Sequence, residues 1–314
     1  MYLMKFYIPI LIILIDHVQT FYLKCPFDTI VTFGDSHTDT GNVYNLTEHH
    51  WPLVPPYYQG RFTNGPVWIE KLNVSNIINY AYGDATIDND NLVAGFTGPN
   101  RTIVPGIRQQ IVDYLTVTDI SKIDLSTTLY IIWASGNEYL IDSSLSADTV
   151  ITSLIAAIYD LLVVGIQNLI LINVPPIQSF PGANNDSRLN ILINQHNNYL
   201  VINISEILAD YTTVSIRIFD VYSLITDILS NNSMYILNKT DKCWNILDNH
   251  IISQCKNPDG YVFIDDYHFT SVIHQVIANN IKQFILSSAL KNFSSSKFYI
   301  FICIIIFFKT KLQI

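Results

Sequence analysis

Between Thr29 and Ile285, short runs of β-branched and aromatic residues alternate with longer stretches whose apolar residues recur every three or four positions. Such alternation constrains the fold strongly: the short runs are expected to pair as a parallel sheet, and the long ones to cover it as helical crossovers. The strand-length runs are Thr29–Phe33, Ile77–Tyr82, Leu129–Trp133, Leu169–Val174 and Thr213–Phe219. Pro105 is placed to open a helix that aligns Ile107, Ile111, Tyr114 and Leu115 on one face. Ala147–Val164 is amphipathic and stops at Gly165, and further helices are expected from Leu189 to Ala209, from Val221, and from Thr270 or Ser271. No repeat or linker separates these elements, so residues 27–290 are expected to form one α/β domain.

Composition narrows the function. Hydrophobic residues make up 49% of the chain and charged residues 14%, which excludes disorder for its bulk. The formal net charge is −9 with no basic stripe, so nucleic acid is not an expected partner.

The two ends differ from this body. Lys5 followed by the apolar run Phe6–Ile15 and a polar exit has the layout of a secretory signal peptide, expected to occupy residues 1–20. Eight Asn-x-Ser/Thr sequons, beginning at Asn45, Asn73, Asn100, Asn185, Asn203, Asn231, Asn238 and Asn292, suit a secreted glycoprotein. In an oxidising compartment Cys243 and Cys255 are expected to pair across their short loop. No CxxC or histidine pair at ligand spacing accompanies them, and neither metal nor cofactor is expected. Residues 291–314 form a polar linker and a tail whose apolar stretch, Phe298–Phe308, is too short to span a bilayer. Whether it attaches the chain to a membrane stays open.

The chemistry-bearing residues sit at strand ends. The first run breaks at Gly34-Asp35-Ser36, presenting a serine hydroxyl where open α/β sheets place their sites. The same residues also suit an Asx turn in which Asp35 and Asp39 cap a helix. Asp265 and His268 stand three apart before the last helix, a spacing that lets a carboxylate orient an imidazole, or a capping pair start a helix. A serine needs such a base to take its proton. Gly83 and Asn137 follow other strands and offer a backbone N–H and a side-chain amide to an oxyanion.

In this combination the chain resembles the GDSL-type lipases and acylhydrolases, the SGNH hydrolase superfamily, in its secreted plant and fungal branch. The resemblance runs from about Phe27 to Ile285 through Phe33-Gly34-Asp35-Ser36 with Asp39, Gly41 and Asn42. It continues in Gly60–Trp68, Asn79–Thr86, Ile132–Tyr139, Asn173–Pro176, Asp220–Leu224, and Asp265 with His268. It implies a three-layer α/β/α sandwich around a five-stranded parallel sheet, of flavodoxin-like form, and a serine ester hydrolase forming a covalent acyl-enzyme. By the resemblance Ser36 is the nucleophile, His268 the base and Asp265 its orienter. The oxyanion donors implied are the N–H groups of Ser36 and Gly83 and the side chain of Asn137. The implied substrates are esters of lipids, acylated carbohydrates or other small molecules.

Several positions depart from the family pattern. His37 replaces the usual Leu and sets a second imidazole beside Ser36; Asp84 brings negative charge to the oxyanion region; Ser135 and Glu138 flank the motif of Asn137. These departures sustain a second reading, a catalytically impaired extracellular lipid- or carbohydrate-binding glycoprotein. Tyr57, Tyr58, Phe62 and Trp68 form an aromatic-rich insertion that suits either an acyl groove or, the favoured expectation, ordinary packing.

Overall fold

Five parallel strands, each aligned side by side with its neighbour, organise a computed structural model that describes residues 25–134, 136–183, 186–230, 237–247 and 250–293. The expected signal peptide, Ser135 and the apolar tail lie outside the described residues. In chain order the strands are β1 (Thr29–Gly34), β2 (Asn76–Asn79), β3 (Gly95–Thr97), β4 (Thr102–Val104), β5 (Thr128–Trp133), β6 (Asn168–Ile172), β7 (Ser215–Phe219), β8 (Asn238–Lys242), β9 (Trp244–Leu247), β10 (His250–Gln254) and β11 (Tyr261–Phe263). The sheet runs β2-β1-β5-β6-β7, and the strand order reverses direction between β1 and β5. Open α/β sheets bind ligands at such a switch point, outside the carboxyl ends of the strands.

All residues of β5 are buried. Successive side chains of a strand point to opposite faces, so both faces of this sheet are covered. The helices Ile107–Val117, Ala147–Leu162 and Ser187–Asp210 pack in succession, bringing Ile111, Tyr114, Leu154, Ile158, Ile193 and Leu200 into the core. Ser146, Asp186 and Asp220 cap their helices by accepting backbone N–H groups from Thr149, Arg188 and Ser223. Asn173 and Asp220, at the ends of β6 and β7, are joined by a 2.8 Å hydrogen bond, and Asn173 also accepts the Tyr222 N–H.

Some expected boundaries move. The helix expected from Pro105 begins at Ile107, with Gly106 at the cap, because Thr86 and Ile87 carbonyls take the N–H groups of Ile107 and Arg108. The run expected over Ile77–Tyr82 is a strand only to Asn79, whose side-chain oxygen accepts the Ala81 N–H and turns the chain. The pairs β3–β4, β9–β10 and β8–β11 lie outside the main sheet. Cys243 and Cys255 are disulfide-bonded, with Cα atoms 4.9 Å apart.

The chain divides into two units, Phe27–Asn279 and a second formed by residues 1–26 and 280–314. The sheet and every site residue below belong to the first. Of the second, the described residues are Cys25, Pro26 and the later turns of the helix Ser271–Phe293. Among the described residues, no helix is long and apolar enough to cross a membrane.

Candidate active site

The end of β1 is held by a clamp invisible in the motif. Buried Gln110 accepts the Gly34 N–H and donates to the Gly34 carbonyl, both at 2.9 Å. A side chain at position 34 would approach the Trp133 carbonyl at 3.0 Å and Thr38 at 3.1 Å, so a glycine fits this seam between β1 and β5. The turn then closes through Thr38 and Asp39 N–H groups on the Asp35 carbonyl and the His37 N–H on the Asp35 carboxylate. The Asx turn and the presentation of Ser36 are therefore one structure. Trp68, from the aromatic insertion, donates its indole N–H to Thr38 Oγ1 at 3.2 Å and supports the turn. Among the described residues, neither the backbone N–H nor the hydroxyl of Ser36 makes a hydrogen bond.

His268 comes to the same place from the loop after β11. Its ring centroid lies 5.8 Å from that of His37, the residue next to Ser36. Its Nδ1 lies 2.9 and 2.8 Å from the two carboxylate oxygens of Asp265. A carboxylate accepts only, so Nδ1 carries the proton and Nε2 is left as the basic nitrogen. Asp265 also receives the backbone N–H groups of Tyr267 and His268, each at 2.9 Å, and the hydroxyl of Tyr57. Burial opposes charge on His268, but Asp265, helped by Asp84 and Asp35, raises its pKa above 6.5. Against the same burial penalty, the contacts with His268 and Tyr57 hold the Asp265 carboxyl down at about 2.

His37 is not placed to compete as a base. Its ring is stacked between Trp133 at 5.1 Å and Phe269 at 4.9 Å. Burial, then the nearby His268 and His274, keep its pKa well below 6.5. Phe62 lies 5.1 Å from the His268 ring and also covers Gly83, where an added Cβ would meet its ring at 2.2 Å. Tyr57, Phe62 and Trp68 are all buried, while Tyr58 is half-buried.

The expected oxyanion donors divide. Gly83 stands at the site, and its N–H donates to Asp39 Oδ2 at 2.8 Å. Asp39 is fully buried and also takes the N–H groups of Gly41, Asn42 and Val43. Burial nonetheless pushes its carboxyl up to about 6. Asn137 begins a short helix behind Gly136, and its Nδ2 donates to the Ala85 carbonyl at 2.9 Å. An amide nitrogen carries two hydrogens, so one N–H remains for a ligand. Asp84 adopts a left-handed backbone, φ 63°, and accepts the Thr97 hydroxyl at 2.6 Å.

Among the described residues, no cluster of His, Cys, Asp and Glu is arranged to hold a metal ion. A cavity of about 540 Å³ bounded by Asp88, Arg108 and Asp160 includes none of the residues above, and Arg108 pairs with both of those carboxylates.

Comparison with known proteins gives concordant matches. The family model described as GDSL-like Lipase/Acylhydrolase matches residues 30–281. The chain is similar to the phosphatidylcholine-sterol acyltransferase of Aeromonas hydrophila, with 27% identity over 233 residues, 71% of this chain and 67% of that protein. It is also similar to the thermolabile hemolysin of Vibrio parahaemolyticus, with 23% identity over 272 residues, 80% of this chain and 62% of that one. The chain thus spans roughly two thirds of these relatives' length. Among solved structures, the lipase/acylhydrolase from Enterococcus faecalis aligns with TM-score 0.43 and 15% identity over 83% of this chain and 96% of that one.

Proposed function

The chain belongs to the GDSL-like lipase/acylhydrolase family of ester-hydrolysing enzymes, and from that premise we propose that it cleaves carboxylic esters through Ser36, His268 and Asp265. The observation that carries this reading is the Asp265–His268 Nδ1 contact beside the turn that bears Ser36. Nε2 of His268 takes the Ser36 proton as Oγ attacks the ester carbonyl. The resulting imidazolium, stabilised by Asp265, passes that proton to the departing alkoxide as the C–O bond breaks. An acyl-enzyme and a free alcohol result. Water, deprotonated in turn by His268, then releases the acid and restores the serine.

The oxyanion is received by the Ser36 N–H and the second N–H of Asn137. Gly83 joins them only when its amide turns away from Asp39. A lipid ester is the favoured substrate class, because the relatives are named for acyl transfer from phosphatidylcholine to sterol and for hemolysis. Acylated carbohydrates and phenolic esters are the alternatives that a substrate panel separates. The N-terminal leader-like segment, the sequons and the disulfide support export as a glycoprotein. The second reading, an impaired binding protein, draws its support from the Asp39–Gly83 bond, which occupies one expected donor.

The test is covalent labelling with a fluorophosphonate, together with hydrolysis of p-nitrophenyl esters of increasing acyl length. Labelling should vanish in Ser36→Ala and fall strongly in His268→Ala. Undiminished labelling of the Ser36 variant overturns the triad. Binding of a lipid without turnover of any ester supports the impaired protein instead.

A further inference from the structure

We propose that Tyr57 is a positioning residue, whose buried hydroxyl fixes the Asp265 carboxylate in the rotation at which it receives the His268 ring. The inference rests on the ester-hydrolase reading above and adds a member that the family motifs do not contain.

The case begins with how Asp265 is anchored. Its Oδ1 takes the N–H groups of Tyr267 and His268, both supplied by its own loop. Among the described residues Oδ2 receives no backbone N–H; its partners are His268 Nδ1 and the Tyr57 hydroxyl. Without Tyr57, Oδ2 would be restrained only by His268, and the imidazole that the carboxylate should orient cannot also be its anchor. Tyr57 supplies the missing fixed point, from 208 positions away in sequence.

Tyr57 is itself held on several sides. Its N–H donates to the Leu53 carbonyl at 3.0 Å. Its ring meets Trp244 edge-on, with centroids 5.1 Å apart, in a cluster that includes Cys243 and Ile264. The Trp244 N–H donates to the Ile264 carbonyl at 2.7 Å, so the clamp and the Asp265 loop share a backbone connection. The residue is only 4% exposed, so its hydroxyl cannot exchange Asp265 for bulk water. Burial and the neighbouring Asp265 charge keep the phenol protonated, leaving it a donor throughout the working range.

A donor to Oδ2 draws negative charge from the carboxylate. Removing it strengthens the attraction of Asp265 for a protonated His268, so the imidazole becomes a free base only at higher pH. The other groups facing this ring, Asp84, Asp35, His37 and His274, stay in place in the variants below.

The experiment measures kcat and KM for a p-nitrophenyl ester as functions of pH in the full chain, for the parent, Tyr57→Phe, Asp265→Asn and the double variant. Tyr57→Phe is expected to lower kcat about tenfold with KM unchanged, and to move the acid limb of kcat/KM to higher pH. In the Asp265→Asn background the same change should add almost nothing, because no carboxylate remains to be held. Incorporation of 3-fluorotyrosine at position 57, which keeps the ring and strengthens the donor, should move the acid limb to lower pH; this arm remains readable if Tyr57→Phe folds poorly. An unchanged limb in both variants, or a loss of kcat that merely follows a lowered melting temperature, overturns the positioning role. Ser36→Ala in the same assay separates the two levels. Hydrolysis surviving in Ser36→Ala removes the Ser36 triad on which this inference rests, whereas an inactive Ser36→Ala beside an unperturbed Tyr57→Phe removes only this inference.

Discussion

Glu138 Oε1 accepts the Ile87 backbone N–H at 2.6 Å from a side chain only 1% exposed. With the neighbouring Asn137–Ala85 bond, it ties the start of one short helix to the turn that follows Gly83. The Glu138 carboxylate therefore holds the Ile87 amide, and Asn137 keeps its own bond to Ala85. Burial, with a contribution from Asp35, raises the Glu138 pKa from 4.5 to about 7 in spite of these donors.

That shift gives a signed prediction for stability. Below pH 4.5 the group is protonated both in the unfolded chain and in the fold, and it imposes no penalty. As pH rises from there to about 7, the unfolded chain releases the proton first, so stability falls across that window. Glu138→Gln keeps an acceptor for Ile87 and removes the titration. Its melting temperature should exceed that of the parent above the window by several degrees, at about 2–4 °C per kcal/mol, and match it below. Parallel melting curves for the two proteins across the window would contradict the assignment.

The raised pKa of His268 sets a floor for activity. Neutral imidazole is required, so the acid limb of kcat/KM is expected above pH 6.5, with Asp265 the principal cause and Asp84 next. Asp84→Asn preserves an acceptor for Thr97 and removes a negative charge. It should shift the limb to lower pH and raise activity on the acid side, as read from a pH–rate profile. No movement of the limb would show that Asp84 is screened from the ring.

Phe62 and Gly83 should be energetically coupled. An alanine at position 83 places its Cβ 2.2 Å from Phe62 Cε2 and forces that ring to move. Overpacking of this kind costs about 1–3 kcal/mol. The double variant Gly83→Ala/Phe62→Leu should recover much of that loss in a denaturation cycle. Simple additivity of the single changes would place the clash elsewhere.

Loss of the Cys243–Cys255 bridge is expected to reach the site. The cysteines are 12 residues apart, and closing a loop of that order stabilises by about 3 kcal/mol in the chain-entropy account. Cys243→Ser/Cys255→Ser should lower the denaturation midpoint accordingly. It should also reduce kcat, since Cys243 and Trp244 belong to the cluster that packs on Tyr57. Unaltered kcat in a folded, bridge-free variant would uncouple the two.

The alternation of strand and helix was legible because core strands such as β5 are buried on both faces and are therefore continuous apolar runs. The meeting of Asp265 with His268 was legible as well, since a spacing of three lets a carboxylate reach an imidazole. What the chain hid were contacts between side chains remote in sequence. Gln110 clamping Gly34, Asp39 taking the Gly83 N–H and Tyr57 meeting Asp265 bridge 76, 44 and 208 positions. No periodicity announces such pairings, because polar residues buried at strand ends are selected by one partner, not by a repeating face. The small strand pairs were missed for a related reason. β8 to β10 carry mixed polar residues and pair beyond the main sheet, so they lack the apolar signature.

Tyr57 and Asp265 lie 208 positions apart, so their contact waits on the synthesis of everything between them. A nascent chain displays Ser36 long before Asp265 and His268 have been added. On the proposed triad, a product terminated before Asp265 lacks both the carboxylate and the base, and should leave the esters of the cell that makes it untouched.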